Sequence, residues 1–467
     1  MRLNPSTSGR MEQGGLVGVH GDPDACRQAC TLLSGLVHRG GQAAAMVSTD
    51  GARLVRDTLP PDLRPPDDRA GHSGAIAATR SWAVTPLAPA GPLLASGRGQ
   101  PLGLAFEGSL VDARALRREL EDEGAVLQTG LEAELVMHLM ARSAQTTVIN
   151  RLVDALSRLR GGWAILLLTP DHLVAARDPF GLRTLATGRL GGARVFATET
   201  GPLHAHGARG VRELAPGEVL IADANGVAAI RPLPRHPAAR CVLESLQLAR
   251  ADAELGGASV YAVRVRVGER LATMAPVSAD VVVPIPQGGW PCAVGYARVS
   301  GLPLAPGLLQ VGSLSRRSPA ALAEERIRRA MAAVPVICSG RRVVLVDDAL
   351  VTGHTARALR RMLSEAGALE VHLRLAAPPL RAPCLYGVDL PDPDELLAAR
   401  LAPERLGAWL GTDSVAWLSA AQADDALGHE GEGSCKGCLT GEYPLTPVQD
   451  DAGPQLPLFH VPDPAEV

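Results

Sequence analysis

Four apolar residues in succession, Val343-Val344-Leu345-Val346, run straight into two adjacent acids, Asp347 and Asp348. An unbroken apolar run suits a parallel strand covered on both faces. The spacing beyond it predicts a short loop and then a helix over about residues 356–366. Residues 280–285 and 370–375 carry similar runs, so strands alternate with helices from about residue 240 to 425. That alternation predicts an α/β domain with a parallel sheet. Upstream the pattern changes. Short apolar segments at residues 15–20, 163–169 and 173–176 predict strands of a β-rich sandwich. Helical periodicity falls at residues 112–123 and 131–144. The Pro- and Arg-rich residues 231–237 read as a linker. The chain thus divides into residues 1–235, 236–425 and a tail, 426–467, whose Gly, Glu and Pro content predicts a segment laid over the surface.

A length of 467 residues supports two or three domains with substantial cores. The net charge is only −3, and no basic stripe is interleaved with aromatics, so nucleic-acid binding has no electrostatic support. No apolar run is long enough to span a bilayer. The first ten residues lack the apolar centre of a signal peptide, and a cytoplasmic location is expected. Lys436 is the only lysine, so arginine must supply any other cation that a phosphate ligand needs.

Two features carry chemistry. In open α/β sheets, ligands bind beyond the carboxyl ends of strands. Asp347 and Asp348 occupy such an end, where carboxylates hold ribose hydroxyls or Mg²⁺. Thr352, Gly353, His354 and Thr355 then feed a helix N-terminus, whose free N–H groups cradle phosphate. A ribose-phosphate ligand fits the pair of features better than a bare phosphate. The second feature is Cys435-Lys436-Gly437-Cys438, with Cys241 and Cys384 far away in sequence. On spacing alone, zinc, a redox pair and an iron–sulfur cluster compete. Cys26, Cys30, Cys292 and Cys338 lie in no motif and read as core residues.

The segment around Asp347 resembles the PRPP-binding signature of type I phosphoribosyltransferases. Further stretches extend the likeness. They are Cys241 to Arg250, Gly295-Tyr296-Ala297, Pro383 to Asp389, Cys435 to Pro444, His38-Arg39-Gly40, Arg177 to Arg183 and Pro216-Gly217-Glu218. Together they resemble the amidophosphoribosyltransferase (glutamine PRPP amidotransferase) family over nearly the whole chain. The resemblance implies an N-terminal Ntn-hydrolase-like αββα sandwich, a type 2 glutamine amidotransferase fold, followed by an α/β type I phosphoribosyltransferase domain. It implies a cytoplasmic homo-oligomer, or a hetero-oligomer with an intact paralogue, that binds PRPP or a purine nucleotide with Mg²⁺ on Asp347 and Asp348. One branch of the family carries a 4Fe–4S cluster on cysteines in these contexts, which implies Cys241, Cys384, Cys435 and Cys438 as its ligands.

The same resemblance exposes departures. The family's cysteine nucleophile falls on Gly14. Its Asn-Gly oxyanion pair reads Glu107-Gly108, and a carboxylate there opposes a developing oxyanion. Its glutamine-binding acid is Glu132, one methylene longer, and its glutamine-carboxylate arginine is Arg80. Near the acid pair, Ala349, Thr352 and His354 replace Ser, Arg and Thr, and Gln287-Gly288 replaces Asp-Ser. The flexible loop that closes over PRPP is shorter, with Gly312-Ser313-Leu314-Ser315 at its core, and an expected lysine is Ala330. Arg316, Arg317, Arg326 and Arg328 are the remaining cations nearby. These changes predict loss of glutaminase activity and an impaired or non-catalytic protein. An ammonia-dependent transferase is the alternative.

Overall fold

The computed structural model describes residues 14–41, 43–80, 91–312, 323–428 and 433–447. The first half is a four-layer sandwich. Its seven-stranded antiparallel sheet runs, edge to edge, Arg209–Glu213, Ala186–Leu190, Ala193–Ala197, Leu16–His20, Gly74–Arg80, Ala43–Thr49 and Leu54–Leu59. A six-stranded sheet packs on it in the order Gly226–Ile230, Val219–Asp223, Leu173–Arg177, Gly161–Leu168, Gln100–Leu110 and Leu93–Gly97. Leu16, Ile76, Leu166, Leu173 and Phe196 fill the space between the sheets. The helix Ala25–Ser34 covers the outer face of the first sheet. Ala113–Asp122, Glu132–Arg142 and Val148–Leu156 cover the second. Strands buried on both faces lose the usual polar alternation, which is why residues 161–168 read as one apolar run. The helix Val148–Leu156 is absent from the periodicity reading. Its start was legible as a cap: the Thr147 hydroxyl accepts the Asn150 N–H.

The second half holds a four-stranded parallel sheet in the order Val281–Pro284, Arg342–Asp347, Glu370–Leu375 and Ser414–Trp417. Helices Val260–Met274 and Trp290–Ser300 lie on one face, and His354–Glu365 on the other. The tail does more than cover the surface. Gly433–Cys435 pairs in parallel with Ala239–Cys241, and Cys435, Cys438 and Leu439 are buried in the core of the second half. Backbone hydrogen bonds tie the short strand down, so a composition typical of loops is overridden. Among the described residues no helix is long and apolar enough to cross a membrane.

The two halves meet backbone to backbone. Gly387, at φ +103°, lies where a Cβ would come within 2.5 Å of the Gly108 Cα. Gly108, at φ +127°, has no room either, because its own Cβ would lie 2.0 Å from the Gly162 carbonyl oxygen. Both positions demand glycine sterically and conformationally. Gly387→Ala is expected to destabilise the protein by about 2–3 kcal/mol, read as a lower urea midpoint. Gly192→Ala, which faces open space, should leave that midpoint unchanged.

Candidate functional site

Three centres stand out, and the first two lie along this junction. The first surrounds the corner where the chain enters its first strand. Gly14 is buried there. Gly15 donates its N–H to the Thr79 hydroxyl at 2.9 Å, and Leu16 donates to the Thr198 hydroxyl at 2.8 Å. Thr198 in turn donates to Glu107 Oε2 at 3.2 Å. The other oxygen of Glu107 accepts from Arg183 and, at 3.4 Å, from Arg39. Arg39 also holds Glu199 at 2.7 Å and Glu244 at 2.6 Å, and Arg183 lies 3.3 Å from Glu244. All five side chains are almost fully buried. His38 adds a 2.7 Å contact to Glu199. Burial alone would raise the Glu199 carboxyl, but Arg39, His38 and the Arg250 N–H outweigh it and hold it at about 2. Burial likewise opposes the charge on Arg39 and Arg183. The surrounding carboxylates outweigh that too and raise both.

Glu132 begins the helix Glu132–Arg142 and is buried. Its two oxygens accept from the Ser109 hydroxyl at 3.0 Å and the Leu110 N–H at 2.9 Å. It therefore braces the strand that carries Glu107 and Gly108. Arg80 ends the strand Gly74–Arg80, and its side chain lies outside the described residues.

The second centre is a cavity lined by Cys241, Cys384, Cys435 and Cys438, with Leu182, Arg183, Tyr386, Val388 and Tyr443. It contains about 330 Å³ of space not filled by atoms, part of it open to solvent. Cys241 and Cys435 are register partners on the paired short strands. Cys384 Sγ accepts N–H groups from Tyr386 at 3.3 Å and Val388 at 3.4 Å, contacts that favour a thiolate. Burial and the neighbouring sulfurs push the Cys241 and Cys438 thiols up, and burial takes Cys435 to about 12. A cationic group that binds thiolates would relieve this. Among the described residues no set of three or more His, Cys, Asp or Glu is placed to hold a single metal ion. Four sulfurs spread around one cavity instead fit a polynuclear cluster.

The third centre is the acid pair. Asp347 ends its strand and is nearly buried, while Asp348 is half-buried. Asp347 Oδ1 accepts the Asp348 N–H at 2.8 Å. Burial, and then the Asp348 carboxylate, push the Asp347 carboxyl well above its ordinary range. A Cβ on Gly288 would lie 2.2 Å from an Asp348 oxygen, so the acid fills space that a serine there would need. The helix starts at His354, two residues earlier than its periodicity predicts, with Gly353 as N-cap at φ +79°. His354 and Thr355 therefore form its first turn. The His354 ring lies edge-on to Trp409, with centroids 6.0 Å apart, and Trp409 and Leu397 crowd the Gly353 Cα. Thr352 is half-buried beside them.

Residues 313–322 lie outside the described residues, Arg316 and Arg317 with them. Arg328 pairs with Glu365 at 2.6 Å on the exposed surface, and Ala330 is buried. Sequence reasoning named Arg39, Arg183 and Glu244 only as motif members and missed Glu199 and Arg264. Arg264 is buried, donates to the Ser245 and Ala249 carbonyls, and carries its charge towards Asp348, Glu199 and Glu244. An arginine flanked by the buried Val263, Val265 and Val267 in the helix Val260–Met274 was the available signal.

The depressed Glu199 carboxyl sets a pH dependence. Its contribution is fully present above pH 4.5 and is lost as the pH falls through about 2; the shift corresponds to about 3 kcal/mol. Denaturant unfolding across this range should show Glu199→Gln with a shallower acid slope than the parent. An unchanged slope would contradict the assignment.

Comparison with known proteins agrees with the architecture. Residues 83–205 match the glutamine amidotransferase domain family and residues 259–382 the phosphoribosyl transferase domain family. Amidophosphoribosyltransferase 1 of Arabidopsis thaliana, a chloroplastic protein, is 36% identical over 454 residues, covering 94% of this chain and 80% of its own. The Bacillus subtilis amidophosphoribosyltransferase is 33% identical over 468 residues, covering 96% and 97%. The solved structure of glutamine PRPP amidotransferase from B. subtilis, complexed with ADP and GMP, superposes with a TM-score of 0.87 at 34% identity, covering 93% of this chain and 98% of that one. The chain belongs to the amidophosphoribosyltransferase family.

Proposed function

We propose that this chain is an amidophosphoribosyltransferase-family protein of purine biosynthesis that has lost its glutaminase nucleophile and serves as a non-catalytic or strongly impaired paralogue. The observation that carries this reading is the state of the glutamine corner. Amide hydrolysis requires a nucleophile and donors aimed at the developing oxyanion. Gly14 offers no side chain. Glu107, at the donor position, is an acceptor already held by Arg183, Arg39 and Thr198. No preorganised donor remains on that side chain. Glutamate cannot donate in its place without breaking the buried ion pairs, which costs several kcal/mol, roughly 3–5.

The second half retains the means to bind a ribose phosphate. Asp347 and Asp348 would hold the ribose hydroxyls and Mg²⁺, and the N–H groups from Thr352 to Thr355 the 5′-phosphate. The divalent cation would offset the repulsion that now favours a proton on Asp347. PRPP or a purine nucleotide is the expected ligand, by analogy with the ADP- and GMP-bound relative. The intact acid pair supports a second reading, in which the chain makes phosphoribosylamine from PRPP and free ammonia. In either case the protein acts in the cytoplasm as a homo-oligomer or beside an intact paralogue.

The four thiols would hold a 4Fe–4S cluster, whose contribution is to staple the tail to the second half without redox chemistry. The chain's own part is to supply four convergent sulfurs, two N–H donors to Cys384, and Tyr386 and Tyr443 as walls. Anaerobically purified protein is expected to be brown with about four irons per chain. A colourless, zinc-loaded protein would refute this.

PRPP consumption with Mg²⁺, using ammonia or glutamine as nitrogen donor, tests the main reading. No turnover with either, alongside saturable PRPP binding, supports the non-catalytic paralogue. Turnover with ammonia alone establishes the second reading. Gly14→Cys should release no glutamate from glutamine, because Glu107 still opposes the oxyanion. Glutamate release by that single variant would overturn the account of the glutamine corner.

A further inference from the structure

Three arginines stand side by side on the first sheet, far along the chain from the acid pair. Arg194 is the register partner of Arg189 on the neighbouring strand, and Arg189 is the partner of Arg209 on the edge strand. His20 flanks Arg194 on the other side. Register partners in antiparallel strands point to one face, about 5 Å apart. That face is the one turned to the second sheet. Phe196, two residues from Arg194, shares it and packs between the sheets. His20 also feels Asp223 of the second sheet and His172, in the turn before its strand Leu173–Arg177. The row therefore lies at the open rim of the sandwich.

Like charges placed directly opposite one another destabilise a sheet, and among the described residues no ion pair offsets them. Among the described residues, Arg189, Arg194 and Arg209 form no ion pair and donate no side-chain hydrogen bond. The neighbouring Arg212 is different, since Glu218 holds it at 2.7 and 2.8 Å. Arg194 is half-buried, and its Nε is enclosed with no acceptor. Burial and the charges of Arg189 and Arg212 press its pKa down, and no carboxylate acts against them. A guanidinium that has lost part of its hydration and gained only like-charged neighbours lacks an anion.

We propose that Arg194, Arg189 and Arg209 form a binding site for a chain of linked phosphates, separate from the Asp347 centre. Guanidinium groups match phosphate oxygens in bidentate geometry. Three adjacent strands span about 10 Å, the length of a few linked phosphates. The enclosed Nε of Arg194 calls for a compact tetrahedral anion that enters the rim. Single-stranded nucleic acid fits less well, because it binds by stacking on exposed rings. Among the described residues, the exposed aromatic side chains, Tyr261 and Trp290, belong to the other half.

Titration calorimetry of the whole protein without Mg²⁺, at fixed salt, tests this with inorganic tripolyphosphate, adenosine triphosphate and orthophosphate. Saturable 1:1 binding of tripolyphosphate is expected, at least tenfold weaker in Arg189→Gln and in Arg194→Gln. Asp348→Asn should leave it unchanged, which separates this site from the ribose-phosphate centre. Arg189 is exposed, so its variant does not endanger folding. Equal affinity for the triphosphate and tripolyphosphate identifies the phosphate chain as the ligand. Tighter nucleotide binding that is still lost in Arg189→Gln supports a nucleotide as its source. Four results overturn the proposal: no saturable binding, equal affinity in Arg189→Gln, orthophosphate binding as tight as tripolyphosphate, or preference for an RNA oligomer that tripolyphosphate does not displace.

Discussion

The buried cluster of Arg39, Arg183, Glu107, Glu199 and Glu244 is the constraint on which the rest of this structure depends. Charges so far from water persist only if each is paired in good geometry. That requirement fixes five side chains drawn from both halves of the chain. Glu244 comes from the second half and the other four from the first, so the ion pairs set how the halves abut. The glycine contact between Gly387 and Gly108 then follows, since only backbone fits in the gap that remains. Arg183 extends the constraint further. Its two terminal nitrogens meet Glu107 and Glu244, while its side chain also lines the cysteine cavity.

Glu107 is held in that cluster by Arg183, Arg39 and Thr198. It lies between two guanidiniums and ties the strand Gln100–Leu110 into the junction. A site used for chemistry must leave some polar groups waiting for substrate, whereas a structural junction satisfies them internally. The corner around Glu107 meets the second condition. The acid pair does not: burial and the neighbouring Asp348 carboxylate hold the Asp347 carboxyl well above its ordinary range.

The elements with strong periodicity were legible from sequence. The strands ending at His20, Leu168 and Asp347 fell where their apolar runs placed them, because burial on both faces leaves an unmistakable run. The helix after Asp347 began early, since Gly353 in a left-handed conformation caps it in place of a polar side chain. The strand pairing of the tail was hidden, because three residues of strand carry almost no pattern and owe their structure to a partner about two hundred positions away. The charge cluster was hidden for a related reason. His38-Arg39-Gly40 and Arg177 to Arg183 stood out as motifs, but ion pairing across such separations leaves no trace in local spacing. The arginine row was written in plain view at Arg189, Arg194 and Arg209, yet only the strand register brings the three together.

The pairing of Cys241 with Cys435 has a consequence for how the protein is made. The first sulfur leaves the ribosome long before the last two, and the intervening chain must build an entire parallel sheet in the meantime. Contacts this distant in sequence close late in folding. The four-sulfur cavity is therefore a finished object only after synthesis has passed Cys438. A ligand that needs all four sulfurs can be enclosed only after that point, so completion of this cavity is timed by translation itself.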